Sequence, residues 1–300
     1  METVTIQVQS VLYQNEKESL MKALRALDNA KKIANKRNVV NVELTVCYGD
    51  ASPEAIFTDS EVAEINNNFS GIKEFKYSYW GFNSGSAKGH NILGETCTSE
   101  YMMIQNPDVI VSPQFFCVIL NGFEDKKVGM VEARQTPVEH PKEYDVKTKE
   151  TDWATTACAL FPTEIFRKLN GFDADSFFMY CDDLDFSWRL RLEGYKILYQ
   201  PLAPVYHAKR LSSDAKWQPT AAEKYYSAEA AILMAYKFSN DRLVKQILRG
   251  FNHSGDTQLE KAAKAFETRK ETGNLPKQID PEHKVAKFVG NLYTEHRFEL

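Results

Sequence analysis

Within the first fifty residues the apolar period changes from two to about 3.6 and back to two, which alternates strand, helix and strand. Val4, Ile6 and Val8 alternate with Thr5, Gln7 and Gln9. Leu20, Ala23, Leu24, Leu27 and Ala30 then recur at helical spacing, and Val40, Val42, Leu44 and Val46 alternate again. Two strands joined by a helix lie parallel, with a right-handed crossover. The chain is therefore expected to build an α/β sheet. Asn15 and Glu18 predict the helix start as a capping box. The second strand runs into Gly49-Asp50-Ala51-Ser52-Pro53. Asp50 is expected beyond the carboxyl end of a parallel strand, where such sheets bind ligands.

The rest of the chain continues the pattern. Strands are predicted at 75–80, 101–104, 128–132, 157–161, 196–200 and 205–207. A Gly-, Ser- and Asn-rich stretch opens a helical segment over 83–100, and Pro162 opens a short helix that Asn170-Gly171 stops. Beyond His207 the pattern is helical: one helix over about 225–248, another over 258–272, a break at 273–281 and a last short helix. The expected layout is an α/β domain over 1–207 and a helical extension over 208–300. Residues 208–250 carry eight Lys and Arg against four Asp and Glu.

Charge and composition restrict the partners. A net charge of −4 argues against a dedicated nucleic-acid binder. No apolar run approaches the roughly 20 residues of a membrane span, and METVTIQVQS reads as no secretory signal. The expectation is a cytoplasmic protein. Its basic 208–250 segment (Lys209, Arg210, Lys216, Lys224, Lys237) is a candidate for peripheral contact with an anionic membrane face, for a homodimer contact, or for a solvated surface. The five cysteines are never spaced as CxxC, so they read as small buried hydrophobes.

Three polar features are candidates for chemistry. Asp108, in Asn106-Pro107-Asp108, follows a short apolar strand and offers a hard oxygen ligand for Mg²⁺ or Mn²⁺; the same tripeptide is also ordinary turn chemistry. Asp182-Asp183-Leu184-Asp185 follows the aromatic run Phe177-Phe178-Met179-Tyr180. Crowded carboxylates beside apolar groups have raised pKa values, which suits a general base; acidic residues also favour a helix N-terminus. His207 ends a strand, as a metal or diphosphate contact or as a structural hydrogen-bonding group.

The order of these features, with Asn83-Ser84-Gly85, Lys88-Gly89-His90-Asn91, Asp152-Trp153, Gly171-Phe172-Asp173 and Trp188-Arg189, resembles the family-2 glycosyltransferases of the GT-A fold. The bacterial rhamnosyltransferase-like branch is the most similar. The resemblance spans about residues 4–210 and is densest over 171–207. It implies a mixed α/β sheet flanked by helices, and an inverting transferase dependent on Mg²⁺ or Mn²⁺. The implied donor is a nucleotide-diphospho-sugar such as dTDP-rhamnose or a UDP-hexose. The implied acceptor is a glycan or lipid-linked saccharide in bacterial surface polysaccharide synthesis.

By the same resemblance Asp50, Asn83, Gly85, Asn91, Asn106 and Asp108 would contact the donor, and Asp108 and His207 the metal. Asp183 or Asp182 would be the base, and Asp152 and Trp153 would belong to the acceptor site. The chain departs from the family pattern in having Asp182 where Glu is usual, and Thr156 where a small Gly is usual. A nucleotidyltransferase is the less favoured enzyme reading, because residues 10–17 hold no basic Gly-rich loop. A non-catalytic sugar- or nucleotide-binding subunit on the same fold is the reading from a different class.

Overall fold

A computed structural model describes residues 3–37, 40–138, 142–207, 219–290 and 293. β1 (Thr3–Leu12), α1 (Lys17–Lys36) and β2 (Asn41–Asp50) form the expected parallel crossover, with Leu12 opposite Asp50. α2 (Asp59–Asn68) leads to β3 (Glu74–Tyr79), and α3 (Gly85–Glu95) leads to β4 (Tyr101–Gln105). Next come β5 (Val109–Val111), α4 (Phe115–Ile119), β6 (Val128–Thr136), β7 (Glu150–Thr151), β8 (Cys158–Pro162), α5 (Thr163–Lys168), α6 (Asp182–Leu192) and β9 (Lys196–His207). The helices α7 (Ala221–Lys237), α8 (Asp241–Asn252) and α9 (Thr257–Glu271) follow.

Among the described residues nine strands form one mixed sheet in the order β3-β2-β1-β4-β8-β6-β9-β5, with β7 on β9. β2, β3 and β4 run parallel to β1. β8 is antiparallel to β4 and to β6, and β9 is parallel to β6. β1, β2, β3, β4, β6 and β9 therefore all end at one edge of the sheet, and the candidate residues gather there.

Helices cover the sheet because its central strands are apolar on both faces. Leu20, Leu24 and Leu27 of α1 pack on Ile6, Val8, Leu44 and Val46 in one cluster. A second cluster joins Phe161, Phe166, Phe172, Phe186 and Leu190. A third is shared between the α6 region (Phe177, Leu184, Trp188) and the C-terminal helices (Ile232, Leu233, Phe238, Ile247, Phe266). The helical extension thus shares its core with the segment carrying the acidic residues. Among the described residues no helix is long and apolar enough to cross a membrane.

Four local expectations are corrected. Asn15 does not cap α1: Glu16 holds the cap position, and Asn15 Oδ1 instead accepts from Tyr13 N at 2.8 Å. The positive φ of Gln14 (54°) turns the side chain back on the strand end. The two predicted strands 196–200 and 205–207 are one strand, β9; its register against β6 shifts where Pro201 and Pro204 interrupt the ladder. The single helix over 225–248 is two helices. Ser239 adopts φ 59° and the Asn240 side chain caps α8 by accepting from Leu243 N at 3.1 Å. No helix follows α9 as far as residue 290, since the Asp280 carboxylate accepts from Lys284, Val285 and Ala286 N and makes a turn there; the rest of the segment expected to hold the last helix lies outside the described residues, apart from Tyr293.

Candidate active site

A cleft of about 260 Å³ opens at the strand-end edge, lined by Asn106, Gln135, Thr156, Asp182, Asp183 and His207 among others. Sheet register assembles one side of it. β5 pairs antiparallel with β9 so that Val109 lies opposite His207, and Asp108 is thereby carried to the histidine. His207 Nε2 lies 3.4 Å from Asp108 Oδ2, and its Nδ1 is 2.7 Å from Gln135 Oε1. Asn106 N is fixed to Ala157 O at 2.8 Å, which holds the Asn106-Pro107-Asp108 turn against the end of β8.

The other side is the start of α6. Tyr180 and Cys181 both adopt left-handed backbone, with φ 68° and 56°. Such residues cost about 1–3 kcal/mol each and persist only where packing over-determines them. Here Phe177 and Cys181 are buried in the cluster shared with the C-terminal helices. The tight turn swings Asp182 and Asp183 to the cleft. Asp182 is buried, and its Oδ2 has no hydrogen-bond partner. Burial, then the neighbouring Asp183 charge, raises its pKa to about 7, opposed by a hydrogen bond with Ser86. Asp183 is half-buried, with Oδ1 accepting from Leu184 N at 2.8 Å. Asp185 points away to Arg189 Nε (2.7 Å) and Lys237 Nζ (2.5 Å).

The remaining predicted residues have other placements. Asp50 does sit at the end of β2, but it is fully buried. Its oxygens accept from Ser52 N, Ile56 N and the Tyr77 hydroxyl, so it holds the turn after the strand. Burial and this carboxylate push the Tyr77 phenol up to about 12. Asn91 is not a wall of the cleft: its side chain brackets Phe172, accepting from N and donating to O, each at 2.8 Å. Asn83 accepts from Gly85 N at 3.1 Å, and Gly85 lies against Phe178 with φ 66°. Trp153 is buried under Lys142 and Tyr293 rather than lining the cleft, and Asp152 pairs with Arg191 and Lys287.

Residues that sequence reasoning misses include Gln135, Thr155 and Ser86. Gln135 is hidden because the predicted strand stops at residue 132, whereas β6 continues to Thr136. Extending the strand to the Thr136-Pro137 boundary would find it, since proline ends a ladder. Among the expected basic residues, Lys209, Arg210 and Lys216 lie outside the described residues. Lys224 pairs with Asp256, and Lys237 is not a surface cation: it is buried between Asp173 and Asp185.

One carboxylate oxygen and one imidazole nitrogen make a mixed donor pair for a divalent cation. Two ligands about 2.1 Å from one ion at near-octahedral angles lie about 3 Å apart, close to the spacing of Asp108 Oδ2 and His207 Nε2. No group of three His, Cys, Asp or Glu side chains forms a metal site among the described residues. An ion there would complete its shell with water or phosphate oxygens.

No family model matches the chain. Over 68 residues the chain is 37% identical to the rhamnosyltransferase WbbL of Escherichia coli (strain K12), a stretch covering 23% of this chain and 24% of that protein. The match spans about a quarter of its curated relative. The fold is similar over nearly the whole chain to GalNAc-T7 solved with UDP, GalNAc and Mn²⁺ (TM-score 0.63, 12% identity, 92% of this chain and 56% of that one). It is also similar to the mannosyltransferase PcManGT of Pyrobaculum calidifontis solved with GDP-Man and Mn²⁺ (TM-score 0.56, 14% identity, 89% and 80%). With its mixed sheet, its strand-end cleft and these likenesses, the chain has the GT-A fold of the nucleotide-diphospho-sugar glycosyltransferases.

Proposed function

We propose that the chain is an inverting glycosyltransferase. It moves a sugar from a nucleotide-diphospho-sugar to a hydroxyl of a saccharide or lipid-linked saccharide. The observation carrying this reading is that adjacent carboxylates, Asp182 and Asp183, share one cleft with His207, against which Asp108 lies. Asp183, the more exposed of the two, accepts the acceptor hydroxyl proton as that oxygen attacks the anomeric carbon. Asp182, behind it, is the carboxyl on which burial and the Asp183 charge favour a proton, which leaves Asp183 as the ionised partner. Asn106 and Ser86 flank the donor, and Gly85 lets the Phe178 backbone come close beside them. Asp108 and His207 would hold Mg²⁺ or Mn²⁺, and the bound ion would offset charge on the departing diphosphate.

The similar proteins solved with UDP or GDP-Man and Mn²⁺ support a nucleotide donor and manganese, and the match to a rhamnosyltransferase supports rhamnose; the donors proposed are dTDP-rhamnose and, next, a UDP-hexose. The proposed setting is bacterial surface polysaccharide synthesis on the cytoplasmic side. Residues 1–207 would be the catalytic domain and 208–300 an extension, whose described helices α7, α8 and α9 share a core with the α6 region. Membrane or homodimer contact through 208–250 would rest on Lys209, Arg210 and Lys216.

A thermal-shift screen of UDP, GDP, dTDP and their sugars, with and without Mn²⁺, tests the reading. Ligand at a hundred times its Kd should add about 2.7 kcal/mol of stability. A metal-dependent shift is expected with one base; no shift with any nucleotide would overturn the assignment.

A further inference from the structure

Glu132 lies on β6, fully buried, three residues before Gln135. Burial pushes its pKa up and the Lys142 ammonium opposes this; ionised against that ammonium, the carboxylate only accepts hydrogen bonds. Oε2 takes the ammonium of Lys142, whose side chain is 3% exposed. Oε1 takes the Thr155 hydroxyl at 2.9 Å. A hydroxyl has one hydrogen, so Thr155 Oγ1, having donated, accepts from its other neighbour, Gln135 Nε2, at 2.7 Å. Gln135 Nε2 also lies 3.5 Å from Glu132 Oε1. The amide nitrogen is thus held toward the carboxylate, and Oε1 is left facing His207 Nδ1 at 2.7 Å. A carbonyl oxygen has no hydrogen, so Nδ1 carries it.

We propose that Glu132 is a positioning residue: acting through Thr155 and Gln135, it fixes the tautomer of His207 and presents a bare Nε2 toward Asp108. In the neutral ring that Nε2 lone pair faces Asp108 Oδ2 at 3.4 Å, and two lone pairs at that range repel unless a proton or a metal cation lies between them. The inference deepens the proposed function by giving the cation site its orienting partner, and rests on that reading only where Mn²⁺ is concerned. It also gives a reason for the buried Glu132–Lys142 pair. A buried ion pair is commonly no more stable than apolar residues of the same volume, so stability alone does not account for it. An apolar pair would leave Thr155 and Gln135 free to turn over.

The test uses the full chain, labelled with ¹⁵N-histidine and free of metal, at about pH 8, above the usual histidine range. Long-range ¹H–¹⁵N spectra report which ring nitrogen is protonated, and His207→Asn assigns the signal. Wild type should show Nδ1–H. Gln135→Met, which keeps the Glu132 pair but offers no carbonyl, should lose that preference. Mn²⁺ affinity by calorimetry, without nucleotide, should fall about 10–100-fold. Glu132→Gln, made together with Lys142→Met so that no charge is left unpaired, should do the same, because an amide in place of the carboxylate can donate as well as accept.

An Nε2–H tautomer in wild type would overturn the proposal. So would an unchanged tautomer with Mn²⁺ affinity within about twofold of wild type in Gln135→Met, the variant that keeps the charge pair. If wild type shows the Nδ1–H tautomer, lost in Gln135→Met, yet binds no Mn²⁺, the positioning role stands and the cation reading of the site fails.

Discussion

Lys237 Nζ, on a helix of the C-terminal extension, lies 2.5 Å from Asp185 Oδ1, three residues after the first acidic residue of the cleft. The same ammonium reaches Asp173 Oδ2 at 2.6 Å and sits 5.5 Å over the Phe177 ring. Arg189 adds bonds to Asp185 and to the carbonyls of Leu169 and Gly171. One buried cation from the extension therefore ties down both ends of the segment that turns Asp182 and Asp183 into the cleft. Lys237→Met leaves two carboxylates short of a partner and should cost about 3–5 kcal/mol, read by urea unfolding. Lys224→Met, at an exposed pair, should leave the same curve unchanged.

Gly85 has φ 66°, and a Cβ built there would stand 2.2 Å from the carbonyl oxygen of Phe178. That oxygen also accepts from Ser86 N at 2.8 Å, so the two backbones have no room to separate. Gly85→Ala should lose about 1–3 kcal/mol through backbone strain and push the 177–181 turn away from the cleft. A lowered Tm together with weakened nucleotide binding is the expected pair of results. A lowered Tm with unchanged binding would confine Gly85 to a packing role.

How much of this is legible in the sequence depends on whether a signal is local. The β1-α1-β2 unit, the turn at Asp108 and the acidic start of α6 each follow from a few neighbouring residues, and they are readable. The pairing of His207 with Asp108 is not written in either segment, because it arises from the antiparallel register of β5 on β9. Asp50 lies on the expected edge and Asn91 in the expected helical segment, but sequence does not say whether a carboxylate or amide meets a ligand or a backbone. Ser52, Ile56 and Tyr77 take up Asp50, and Phe172 takes up Asn91. Trp153 suits a sugar-facing ring by residue type alone; the cation and aromatic contacts that bury it come from residues 142 and 293.

Asp183 and Asp182 differ in burial and should separate by substitution. Asp183→Asn removes the more exposed carboxylate while keeping its size, so turnover should fall about 10²–10⁴-fold. Nucleotide affinity should stay near wild type, since Asp108, Asn106 and His207 are untouched. Single-turnover kinetics with a matched donor and acceptor would check both. A larger loss in Asp182→Asn than in Asp183→Asn would move the base to Asp182.

Asp182 also makes a prediction about stability that needs no substrate. Its folded pKa is raised to about 7, whereas a free aspartate titrates near about 4. Below that range the side chain is protonated in both states and contributes no difference. Between there and about 7 the folded protein keeps a proton that the unfolded chain has released, so stability falls as pH rises. Above about 7 both states are ionised and the loss is complete, at most about 4 kcal/mol for a three-unit shift. Asp182→Asn removes the titration. The variant should gain on wild type as pH rises from 4 to 8, with most of the gain before neutrality. Urea unfolding at several pH values measures it, and a difference that stays flat would place the carboxyl in an ordinary solvated setting.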